Sequence, residues 1–113
     1  MAKHWHSNPT QIFWTCKALV QGRVITHRDE IGEVQGWRLG AIIHNLRTKY
    51  HWPILTVYRG AENIAHYYLP EGCRWRLLDF PLSARRLKED MPDDHVTVVR
   101  YGPDAAKLQG GGS

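Results

Sequence analysis

Residues 36–50, GWRLGAIIHNLRTKY, constrain the chain more than any other stretch. On a wheel at 100° per residue, Leu39, Ile42, Ile43, Leu46 and Tyr50 fall within an arc of about 100°. The opposite arc carries Trp37, Ala41, His44 and Thr48, flanked by Arg38 and Asn45, with Arg47 and Lys49 at the margins. The spacing predicts a helix over 37–50 with one buried stripe. Trp52 and Pro53 end that run, and period-two patterning replaces it. ILTVY at 54–58 and IAHYYL at 64–69 are rich in strand formers, and RGAEN between them supplies turn residues. The simplest arrangement is an antiparallel hairpin following the helix.

Two weaker helices precede it. Ser7 or Asn8 can cap a helix whose first turn accepts Pro9, since proline loses nothing where the amide is orphaned anyway. Ile12, Phe13, Cys16, Leu19 and Val20 then recur at three- and four-residue spacing, with Thr10, Lys17 and Gln21 facing away, and Gly22 is the expected stop. Trp14 lies off this stripe. Arg23-Val24-Ile25 is long enough for one small strand. Thr26 and Asp29 form a capping box that starts a short helix at His27, running past Ile31 as far as Gly32 or Val34.

The charge is uneven. Residues 1–70 hold 8 basic and 4 acidic side chains, and residues 71–113 hold 7 of each, so the whole net charge of +4 belongs to the first part. A positive surface suits a polyanion, although this excess is modest. Apolar residues make up 42% of the chain, enough to exclude disorder throughout, and no run approaches a membrane span. The amino terminus lacks a secretory apolar stretch, and Cys16 and Cys73 have neither metal-ligand spacing nor a close partner, which suggests reduced thiols in a cytoplasmic protein.

The order helix, short strand, short helix, stronger helix and hairpin is that of a winged helix-turn-helix. Residues 10–69 resemble the small winged helix-turn-helix domains encoded by phages and prophages. The stretch covers about half of the chain, and its matching residues, Thr26, Trp37-Arg38-Leu39, Ile43, Leu46-Arg47, Pro53-Ile54 and Tyr67-Tyr68-Leu69, are mostly structural. The resemblance implies an α+β fold and a DNA-binding role, possible phage or prophage transcriptional regulation included. In that reading Arg38, His44, Asn45 and Thr48 face the bases of double-stranded DNA in the major groove, and Arg47, Lys49 and Arg59 meet phosphates. A homodimer on a two-fold operator is compatible with so short a reading helix.

The expected domain spans 8–70, followed by a β-containing extension over 71–107, packed on the domain as extra core or forming a dimer or partner surface, and a flexible tail at 108–113. In the extension, 74–80 reads as an extended segment, 83–88 as a short helix and 95–101 as a strand that would pair with the 73–79 segment, the hairpin edge or another subunit, which makes it the best dimerisation candidate. The alternative function is an accessory protein that binds a host or defence protein complex through the same scaffold, with Trp14, Trp37, Trp75 and Phe80 as contact anchors. No phosphate-binding loop, dinucleotide fingerprint, nucleophile elbow or metal motif occurs. The acidic run from Glu89 to Asp94 lacks calcium-loop spacing, and the seven histidines are dispersed. The chain therefore reads as a non-enzyme with no cofactor, no metal and no membrane partner.

Overall fold

The computed structural model describes residues 9–99. Helix α1 (Pro9–Val20) starts at the proline that the missing amide favours and stops at Gly22. There the Gly22 amide donates to Leu19 O and the Arg23 amide to Ala18 O, both at 3.0 Å, with Gly22 at φ +83°. This paired reversal closes the last turn of a helix and needs a left-handed residue. A β-carbon at Gly22 would also lie 2.0 Å from the Val98 carbonyl oxygen, so the carboxy-terminal segment uses the same bare backbone.

Helix α2 (His27–Val34) has the expected box. Thr26 Oγ1 accepts from the Arg28 and Asp29 amides at 3.2 and 3.3 Å, and the Asp29 carboxylate accepts from the Thr26 amide at 2.9 Å. Gly32 does not end this helix, which stops at left-handed Gln35. Helix α3 (Leu39–Thr48) is shorter than its periodicity implies, because Trp37, Arg38 and Tyr50 lie outside it. Its start is fixed by the fully buried Glu30, whose carboxylate accepts from the Arg38 and Leu39 amides at 3.0 and 2.9 Å. A helix starts where its orphan amides find an acceptor, and here the acceptor comes from α2.

Strands β1 (Leu55–Arg59) and β2 (Ile64–Tyr68) form the antiparallel hairpin, with Leu55 opposite Tyr68 and Arg59 opposite Ile64. Ile25 and Tyr67 exchange amide-to-carbonyl bonds of 2.9 and 2.8 Å, so the short extended piece before α2 lies beside β2 as one bridge. The described residues form a small α+β domain with four α-helices and a two-stranded antiparallel sheet.

The extension differs from its sequence pattern. Residues 74–80 are not extended throughout but contain a 3-10 turn, Trp75–Leu77. The expected helix at 83–88 is split into a 3-10 turn, Leu82–Ala84, and the short helix α4 (Leu87–Asp90). No strand forms over 95–99, and residues 100 and 101 lie outside the described residues, as does the 108–113 tail. Buried Val96 instead pins this segment, accepting from the Gly72 amide at 2.7 Å and donating to the Cys73 carbonyl at 2.8 Å. Those two bonds set Val96 beside residues 72 and 73, at the start of the 73–79 segment expected as one of its partners, without building a strand ladder. Trp75, Phe80, Ala84, Leu87 and Val96 join the same core as Leu19, Ile43, Leu46 and Trp52. The ring of Phe80 packs edge-on against Trp52 and Trp75, with centroids 4.9 and 6.1 Å away.

Candidate nucleic-acid interface

Helix α3 is covered on one side only. Leu39, Ile42, Ile43 and Leu46 are buried, whereas Gly40, Ala41, His44, Asn45 and Thr48, with the capping Lys49, are exposed. Residues 41, 44, 45 and 48 fall at the three-, four- and seven-residue intervals that place side chains on one face. Glycine and alanine keep the first exposed turn low, so a flat or grooved partner can approach the backbone there. Among the described residues, the side chains of His44, Asn45 and Lys49 engage no hydrogen-bond or ion-pair partner. Thr48 Oγ1 donates to the His44 carbonyl at 2.9 Å, which leaves its oxygen only as an acceptor.

Ahead of the helix, Trp37 is 80% exposed, and Arg38 is half-buried at the cap position. Arg47 is turned inward rather than outward. Its guanidinium donates to the Ile54 carbonyl at 3.1 and 2.8 Å and to Thr56 Oγ1, and it lies 5.8 Å from the centre of the Tyr67 ring. Its expected phosphate contact gives way to a structural role, tying α3 to the hairpin. Arg59 is half-buried on the opposite face of β1 from Thr56.

The tryptophans separate into two groups. Trp75 and Phe80 are not contact anchors, since both are core residues at 0% and 3% exposure. Trp14 is half-buried and engaged within the fold: its Nε1 donates to Glu33 at 2.9 Å, and the Arg23 guanidinium stands 5.7 Å over its ring. Of the four expected anchors, Trp37 alone keeps the exposure that such a contact requires. Arg23 also holds Glu33 through bonds of 2.9 and 2.6 Å, which pull the carboxyl below its ordinary range. Burial pushes the Cys16 thiol well up, and the Cys73 thiol in the same direction, so neither has the depressed value of a nucleophile.

Sequence periodicity identifies the exposed face of α3 but misses the parts that hold it. Glu30 carries no motif that distinguishes it from a solvated helix acid. Gly36 is the readable trace of that arrangement: a β-carbon there would lie 1.8 Å from Gln11 Nε2 and 2.9 Å from Glu30 Oε2. Tyr58, exposed on β1, carries no sequence signal, because only its cationic neighbour Arg59 suggests anion contact. Among the described residues, no helix is long and apolar enough to cross a membrane, and no group of three His, Cys, Asp or Glu gathers. Comparison with protein-family models, curated proteins and solved structures finds no match.

Proposed function

We propose that this domain is a winged helix-turn-helix that binds double-stranded DNA, with α3 in the major groove and the β1–β2 hairpin as the wing. The observation that carries the reading is the outward face of α3, low at Gly40 and Ala41 and lined by His44, Asn45 and Lys49 without partners among the described residues. Asparagine reads adenine edges in two-point contact, and histidine and threonine meet base edges or phosphates. Two supports place the helix: the Glu30 carboxylate ties its start to α2, and Arg47 ties its end to the hairpin. Two copies on a two-fold site would extend the sequence read, and regulation of phage or prophage transcription is a role such a protein fills.

Equilibrium binding to a fluorescent pool of about 20–30 bp duplexes, repeated across salt concentrations, tests the reading. Selective binding that weakens with salt and is lost in the folded R38A/H44A/N45A variant supports it. Undiminished binding by that variant removes the assigned face.

A second reading has its own observation. Leu77 and Leu82, at 76% and 79% exposure, and Trp37 offer apolar contact to a protein, such as a host or defence complex. Absence of DNA binding at low salt, with capture of a partner that L77S/L82S abolishes, favours that alternative.

A further inference from the structure

We infer that Tyr58 is the wing's own contact with DNA, its hydroxyl donating to a backbone phosphate and its ring lying against the neighbouring deoxyribose. The inference rests on the DNA-binding reading and deepens it by naming an uncharged contact.

The strand register fixes where Tyr58 points. Side chains alternate along β1, so Thr56 and Tyr58 share one face while Leu55, Val57 and Arg59 share the other. The first face is the one turned toward α3, because both Thr56 Oγ1 and the ring of Tyr67, its cross-strand partner, meet Arg47. Tyr58 stands on that face two residues nearer the hairpin turn, about 7 Å beyond Thr56. Its cross-strand partner is Ala65, too small to cover an aromatic ring. Tyr58 is accordingly 61% exposed, and its hydroxyl has no hydrogen-bond partner among the described residues.

The rest of the hairpin offers no competing contact on this side. Arg59 projects from the other face, and Glu62 in the turn is an acid whose carboxylate pairs with Arg28 of α2. Beyond the point where Arg47 of α3 meets Thr56, a nucleic-acid strand crossing this face of the hairpin therefore meets a phenol from β1 rather than a cation. Tyrosine suits that position, since its ring covers sugar carbons while its O–H serves a charged acceptor. The contact also has a signature of its own. A neutral donor neutralises no phosphate and releases no counterion, so it strengthens binding without steepening the salt dependence.

The full-length chain and its Y58F, Y58A and K49A variants are titrated against the same fluorescent duplex pool at several salt concentrations. Loss of one hydrogen bond to a charged group predicts that Y58F binds about tenfold more weakly at every salt. Y58A loses more, and both retain the parental slope of log affinity against log salt. K49A, which removes a cation, lowers that slope by about 0.9. Thermal unfolding of Y58F within a few degrees of the parent shows that the effect is local. Parental affinity in Y58F overturns the hydroxyl contact, and so does a slope reduced as in K49A; with the parent still binding, the DNA reading itself stands. A parent that binds no duplex at low salt overturns both.

Discussion

Glu30 is the side chain on which the geometry of the helix pair depends. Its carboxylate is enclosed at the start of α3 and meets two amides that have no partner within their own helix. Glu30→Ala leaves both amides facing a cavity, a loss of about 2–4 kcal/mol in urea unfolding. Glu30→Gln keeps one acceptor oxygen and loses less. The amino-terminal cap of α2 is a milder case. Thr26 contributes about 1 kcal/mol by the usual measure of such caps. The difference between the two caps is one of charge and burial: Glu30 is an ionisable group at 0% exposure serving two amides, whereas Thr26 is a neutral cap that keeps 8%.

Among the elements, α2 is tied to the end of α1 by Arg23 and Glu33, with Trp14 donating to the same carboxylate. The Glu33 carboxyl is held below its ordinary 4.5, chiefly by its hydrogen bonds with Arg23. Above that value it is ionised in folded and unfolded chains alike, and the pair contributes fully. As pH falls through 4.5 the unfolded chain takes up the proton first, and the contribution disappears below the folded value. The pair is a third or more exposed, so its contribution is about 1 kcal/mol or less. Urea titrations are expected to give Glu33→Gln a constant deficit above about pH 5 that shrinks toward zero under acid. The elements themselves were largely legible beforehand. Periodicity located α1 and α3, Thr26 and Asp29 marked α2, and alternation marked the hairpin, since each signal is local. Side-chain destinations were not local and were missed: nothing at Arg47 itself says that its guanidinium ends on the Ile54 carbonyl. The ends of α3 were overextended for the same reason, because its cap lies nine residues upstream of Leu39.

At the scale of the molecule, the segment after the hairpin is part of the core. Trp52 Nε1 donates to the Asp79 carbonyl at 2.6 Å, and Phe80 fills the space between Trp52 and Trp75. A chain ending at residue 70 would expose that surface and is expected to lose its near-ultraviolet aromatic signal and its cooperative melting transition. Sequence left this role open among several, because the segment folds into short 3-10 turns and one short helix whose packing partners lie far along the chain. The packing around Gly36 carries a consequence of a different kind. The amide of Gln11, an oxygen of Glu30 and the missing β-carbon of Gly36 compete for one small volume. These three positions are therefore coupled: an alanine at 36 requires the Gln11 side chain to move aside or be shortened, so a lineage that alters the turn presenting α3 answers for it at residue 11.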